Sequence, residues 1–157
     1  MEINPRDIQH VGCFRIEFIR VNHSIVGCVG LAITTDIGTI IHTGDFKIDF
    51  SPVDGEVTDI YRFSEYGEKG VLLLMSDSTN AEREGFTRSE SGLMDKMIDI
   101  FAPAKGRIIV ATFASNIHRI QQVLDVAQRF NRKVAISGYS MLKNVEISTT
   151  LGFLNYR

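Results

Sequence analysis

Residues 107–130 read RIIVATFASNIHRIQQVLDVAQRF, and the fold class turns on that stretch. Its first seven residues form a continuous apolar run, the pattern of a strand covered on both faces. Ser115 or Asn116 can then cap a helix, and Ile117, Ile120, Val123, Leu124, Ala127 and Phe130 recur at helical spacing as one apolar stripe. A further strand, KVAISG, runs from residue 133 onward, and a last helical stretch covers Ser140–Leu151. Upstream the same alternation holds, with VLLLMS at 71–76 and a helix near 90–101. Thr87 and Glu90 stand at capping-box spacing before that helix, and Leu93, Met94, Met97, Ile98 and Phe101 share one of its faces. Apolar strands alternating with amphipathic helices predict an α/β fold, with a parallel β-α-β-α-β sheet covered by helices on both faces from residue 71 to about 151.

The preceding half is patterned differently. FRIEFIRV, Phe14–Val21, partly alternates and suits a half-buried strand. Two more apolar runs, Val29–Thr34 and Thr39–His42, flank the turn Thr35-Asp36-Ile37-Gly38 and predict a hairpin. Residues 43–70 are polar and punctuated by Pro52, Asp54-Gly55 and Gly67, with at most a short helix over Val57–Tyr66. The change of pattern divides the chain into a β-rich part, residues 1–66, and an alternating part, residues 67–157.

Lysine plus arginine number 17 against 19 aspartates plus glutamates, a net charge of −2, so no bulk positive field points to nucleic acid and any such binding needs a local patch. At 44% apolar and 23% charged residues, the composition excludes a disordered tail or a rod. Cys13 and Cys28 lack the CxxC spacing and are too few for a disulfide framework, which fits reduced thiols and a cytoplasmic location. The polar stretch Met1–His10 argues against a secretion signal, and the absence of a long uncharged apolar run argues against a membrane span.

In an open parallel sheet, ligands gather at the carboxyl ends of strands. Three polar clusters are expected there, facing one crevice: Ser76 to Asn80, Ser115-Asn116-Ile117-His118-Arg119, and Ser137 to Ser140. The second combines a helix start with Ser115, Asn116 and Arg119 as donors, the makings of a phosphate cradle, although capping alone also explains Ser and Asn in that place. Asp77 likewise suits a turn after a buried strand. In the first half, His23 follows one strand and Asp45 follows the hairpin. Imidazole is a good zinc ligand and a carboxylate can bridge two zinc ions, but one residue of each type is a weak signal taken alone. His42 reads as a packed or hydrogen-bonded imidazole.

Four stretches, FIRVNHSI, IGTIIHTGDFKID, LLMSDSTNAEREGFT and GRIIVATFASNIHRIQQV, resemble the ribonuclease J family, in order and over almost the whole chain. That family belongs to the metallo-β-lactamase superfamily and carries an inserted β-CASP domain. The resemblance implies RNA processing by 5′-to-3′ exonuclease and endonuclease activity at a two-zinc centre. His23 is similar to the third metal-ligand motif, Asp45 to the fourth, whose carboxylate bridges the metals, and Asp77 to the acidic first β-CASP motif close to the ligands. The SNIHR stretch, with Ser115, Asn116, His118 and Arg119, resembles a β-CASP loop facing the RNA. Residues 1–66 then correspond to part of a metallo-β-lactamase domain and 67–157 to part of a β-CASP domain.

Departures accompany the likeness. No HxHxDH string stands between Met1 and His23, and the later β-CASP histidines would lie past Arg157. Ile25-Val26-Gly27-Cys28 occupies the place of the usual Ile-Pro-Asp-Ser, and Gly138-Tyr139-Ser140 a place where arginine is common at the centre. With two ligands in hand, the isolated chain is expected to hold zinc weakly and to be inert. Its expected partners are RNA, the remaining parts of its own family fold and a second copy of itself, with no membrane. A non-catalytic RNA-binding or assembly module, using Asp77, Ser115 and Tyr139 without metal, is the competing reading, and a small-ester hydrolase of the same superfamily a weaker one.

Overall fold

FRIEFIRV forms the backbone of the first sheet. In a computed structural model describing residues 2–156, β2 spans Phe14–Arg20 and pairs antiparallel with β1, Ile8–Val11, and with β3, Val29–Thr34. The sequence reading missed β1, whose four residues IQHV are too few to show a period. The hairpin is formed as expected: β4, Thr39–His42, pairs antiparallel with β3, and Thr34 faces Thr39 at the turn. Alternate residues of β2 to β4 point to one face, where Glu17, Ile19, Val21, Ala32 and Ile41 are buried.

Helix α1, Ile60–Lys69, packs on that face through Phe63 and Tyr66 against Ile19, Ala32 and Ile41. At 10 residues it is a full helix where the sequence suggested at most a short one, and the Asp59 carboxylate caps it by accepting the Arg62 N–H at 3.1 Å. Gly30 makes room for it. A Cβ there would lie 2.8 Å from the Thr43 carbonyl oxygen and 3.1 Å from Phe63 Cζ.

VLLLMS behaves differently from expectation. Its central part, β5 (Leu73–Met75), pairs parallel with β4 and completes a five-stranded sheet of order β1-β2-β3-β4-β5 rather than opening a second one. A continuous apolar run marks a strand without recording which strand it joins, and Leu73, Leu74 and Met75 stay exposed here. The compact units accordingly divide after Arg88: the first takes the chain up to His23 and Gly27–Arg88, the second Ser24–Val26 and everything from Ser89 onward.

The second unit is helical: α2 Leu93–Phe101, α3 Ile117–Arg129 and α4 Tyr139–Thr150. The expected stripes are the packed faces. Phe101 joins Val126 and Ala127, flanked by Met94, Met97, Ile98, Val123 and Phe130, while Ile117 and Ile120 pack with Val145 and Leu154. Asn116, not Ser115, caps α3: its side-chain oxygen accepts the Arg119 N–H at 3.0 Å. The capping box at Thr87 and Glu90 is not formed, because α2 begins only after Gly92 and has no side-chain cap bond.

The two apolar segments on either side of α3 form no ladder, so the parallel β-α-β-α-β sheet is not closed among the described residues. Backbone ladders need a neighbour on hand, whereas an apolar face needs only cover. Both segments instead line a groove of about 460 Å3 with Val123 and Leu124 of α3, and Ile109 and Phe113 stand exposed. The architecture is α/β, a mixed five-stranded sheet with four helices.

Candidate metal-site rim

β2 and β4 are both antiparallel to β3, and β5 is parallel to β4, so the carboxyl ends of β2, β4 and β5 lie at one rim of the first sheet. His23 follows β2, Asp45 follows β4 and Asp77 follows β5. Sheet topology thus gathers three residues that the sequence scatters over more than fifty positions.

His23 Nε2 approaches Asp45 Oδ2 to 3.9 Å, with Asp45 largely exposed and His23 partly covered. The approach is held by the backbone: Asn22, next to His23, forms a bridge with Lys47, whose N–H donates to the Asn22 carbonyl at 2.8 Å. Asp77 Oδ1 accepts the Thr79 N–H at 2.8 Å. Its carboxyl is held below the usual range, first by that N–H and the Thr79 hydroxyl, which outweigh the upward push of burial, and then by the Phe46 N–H and the nearby His23. Asp77 is therefore an ionised acceptor that ties the end of β5 to the loop carrying Asp45. His42 turns out to be the hydrogen-bonded imidazole the sequence suggested, its Nδ1 accepting the Gly44 N–H at 3.0 Å.

An imidazole nitrogen facing a carboxylate is a donor pair of the right chemistry for zinc. It is also incomplete, since among the described residues no group of three or more His, Cys, Asp or Glu side chains is placed to hold a metal ion. The pair fits one side of a metal site. Cys28 lies in the neighbouring loop, its thiol pushed up by burial and then by the negative charge of Asp45, so it remains protonated.

The second expected cluster lies in the second unit and is engaged internally. The side chain of Asn116 is the α3 cap, and the Ser115 carbonyl accepts the Ile117 N–H at 3.0 Å. Arg119 reaches Glu90 at 3.3 Å and Gln122 Oε1 at 3.2 Å, while the buried Gln122 donates to the Glu90 carbonyl at 2.9 Å. His118 is half-buried.

Two buried threonines, Thr43 and Thr58, went unnoticed in the sequence although their hydroxyls bond directly to the rim loops. Thr43 stands in the HTGD string and so had a signal. Thr58 had none.

Residues 105–157 match the family described as "Ribonuclease J, beta-CASP domain". A Helicobacter pylori (strain J99) protein named Ribonuclease J is 52% identical over 145 residues, which are 92% of this chain and 21% of that protein. Over nearly its whole length the chain is similar to one stretch of ribonuclease J. Ribonuclease J of Synechocystis is 47% identical over 97% of the chain, and that of Thermus thermophilus 46% identical over 99% of it. The chain spans 24% and 27% of those two proteins, so it corresponds to about a quarter of a ribonuclease J. The family is one of hydrolytic ribonucleases in the metallo-β-lactamase superfamily. A solved Enterococcus faecalis protein of unknown function has the same fold, with a TM-score of 0.62 at 20% identity over 88% of this chain and 38% of its own. No helix among the described residues is long and apolar enough to cross a membrane.

Proposed function

We propose that this chain is part of a zinc-dependent ribonuclease J that works in the cytoplasm as a 5′-to-3′ exonuclease and endonuclease in RNA processing and decay. The observation that carries the reading is the approach of His23 to Asp45, 3.9 Å, at a rim that Asp77 shares. In this reading His23 and Asp45 would hold the metal, and Asp77 would orient what binds beside them. A zinc pair, when bound, supplies an acidified water and positive charge beside the scissile phosphodiester. The chain's own contribution is to hold donors still: Asp77 stays ionised and fastened to Thr79, and Asn22 fixes His23 against the Asp45 loop.

Residues 1–66 then form part of the metallo-β-lactamase domain and 67–157 part of the β-CASP domain, with Ser115, Asn116, His118 and Arg119 as RNA contacts. Contact with phosphate requires Arg119 to exchange its Glu90 partner for RNA. Alone, with one donor pair, the chain is inactive. The β5 edge supports the further partners, since Leu72, Leu73, Leu74 and Met75 are each about half exposed there, a surface that remaining strands of the family fold, or a second copy of the chain, would cover.

The test uses a complete ribonuclease J that contains this stretch. Asp45→Ala should abolish hydrolysis and lower zinc content below two ions per chain. Two tightly held zinc ions with undiminished hydrolysis would overturn the reading.

A further inference from the structure

We propose that the buried hydroxyls of Thr43 and Thr58 are positioning groups that hang the Asp45 loop between the His23 and Asp77 loops and so set the spacing of the three side chains. The inference rests on the reading of that rim as a metal site, and it adds two residues outside the set His23, Asp45 and Asp77.

The first half of the argument is a hydrogen bond that takes a detour. A hydrogen-bonded antiparallel pair normally exchanges two direct N–H to carbonyl bonds. At Asn22 and Lys47 only one is direct, from the Lys47 N–H to the Asn22 carbonyl, 2.8 Å. The return runs through Thr58. The Asn22 N–H donates to Thr58 Oγ1 at 2.8 Å, and the same hydroxyl donates to the Lys47 carbonyl at 2.9 Å. A hydroxyl can do both because it carries one proton and two lone pairs. Its insertion opens one side of the pair by the width of one oxygen, while the direct bond keeps the other side closed.

Thr43 repeats the pattern on the other side. Its Oγ1 accepts the Asp77 N–H at 3.0 Å, and its hydroxyl donates to the Gly44 carbonyl at 2.8 Å. Asp45 lies between the two carbonyls so held, Gly44 and Lys47. Each is tied through a threonine to a different neighbour, one beside His23 and the other at Asp77 itself. Both threonines are buried, 7% exposed at Thr43 and 6% at Thr58, so water cannot readily replace either hydroxyl. Asn22 adds a third tie, its side-chain nitrogen donating to the Glu56 carbonyl at 3.1 Å.

The experiment is NMR on this chain, comparing Thr43→Val and Thr58→Val, which keep shape and lose the hydroxyl, with Thr43→Ser and Thr58→Ser, which keep it. In the unaltered chain, each threonine hydroxyl should show a nuclear Overhauser contact to its amide, Thr58 to Asn22 and Thr43 to Asp77. Absence of both contacts overturns the proposal, whether or not any variant folds. Thr58→Val should lose the contact between the His23 ring and the Asp45 side chain, and Thr58→Ser should keep it.

Manganese added as a paramagnetic probe supplies the metal readout. Removing the Thr58 hydroxyl should weaken its binding about 10- to 100-fold, with serine restoring it. Thr43→Val should spare broadening at His23 and Asp45 while losing it at Asp77. Where His23→Ala and Asp45→Ala do weaken manganese binding, valine variants that bind and broaden like the unaltered chain, or serine variants as impaired as valine, overturn the proposal. His23→Ala and Asp45→Ala separate the two ideas: if neither changes manganese binding while the hydroxyl contacts and the His23 to Asp45 contact behave as stated, the metal reading fails and the positioning stands.

Discussion

Replacing Glu17 with Gln removes one charge from the buried face of the first sheet and leaves the side-chain shape intact. Glu17 is 2% exposed and receives Arg62 Nε at 2.5 Å, Arg62 Nη2 at 2.7 Å and the Tyr66 hydroxyl at 2.6 Å. Arg15 stands a little farther off, at 3.6 Å. A glutamine oxygen can still accept from Arg62 Nε. Its NH2 would then face Arg62 Nη2, a donor, and could keep the Tyr66 hydroxyl only by turning it from donor to acceptor, so at least one charge-assisted bond is lost and Arg62 is left with Glu65 as its countercharge.

Breaking a buried pair from one side costs about 3–5 kcal/mol. Because Arg62 keeps Glu65 and some exposure to water, the lower end, about 3 kcal/mol, is expected. For a chain of this size that is a drop of about 6–12 °C in melting temperature. The assay is urea unfolding followed by amide exchange in β2, which reports the first unit directly. A loss below about 1 kcal/mol, the net worth of one ordinary hydrogen bond, would refute the assigned role.

The same group makes a pH prediction. The Arg62 hydrogen bonds hold the Glu17 carboxyl below its usual range, outweighing the upward push of burial, with the Tyr66 hydroxyl adding to the effect. A depressed folded-state pKa means the stabilisation is complete above the unfolded value, about 4.3, and is lost as pH falls through the lower folded one. The gap between the native chain and Glu17→Gln should therefore be full at pH 7 and close in acid, where protonated Glu17 resembles glutamine. A gap unchanged at pH 3 would contradict this sign.

Gly30→Ala should destabilise the first unit by about 1–3 kcal/mol, measured by urea unfolding, because the new methyl meets the Thr43 carbonyl and Phe63. Asn116→Ala should cost about 1 kcal/mol of helix stability by circular dichroism, whereas Asn116→Asp keeps the cap. In a complete ribonuclease J the aspartate should nevertheless weaken RNA binding by adding negative charge, and unchanged RNA affinity would speak against that loop as a contact. Ile120→Ala should cost about 2–5 kcal/mol in the second unit. Leu124→Ala should cost less, because Leu124 is half-buried at the groove, and the reverse order would mean the helix face is misassigned.

Local chemistry accounts for what could be read directly. The alternation in Phe14–Arg20 and the turn at Thr35–Gly38 made β2 and the β3–β4 hairpin legible, and the stripe from Ile117 to Phe130 made α3 legible to within a residue. Those signals lie within a few residues of one another, where strand and helix periods apply. His23, Asp45 and Asp77 were found through motif likeness, and their nearness follows from three strands running the same way.

What the amino-acid sequence by itself determined was the α/β class, the elements with strong local periods and the candidate residues for metal and RNA. The tertiary structure alone decided that Leu73–Met75 would join β4, that 107–113 and 132–137 would line a groove instead of forming a ladder, and that Arg119 would pair with Glu90. It also decided the tie from Glu17 to Arg62 across 45 residues and the two threonine relays. The physical reason is common to all of them: a ladder, an ion pair or a bridging hydroxyl needs a partner distant in the chain, and the spacing of neighbouring residues carries no record of which partner folding brings near.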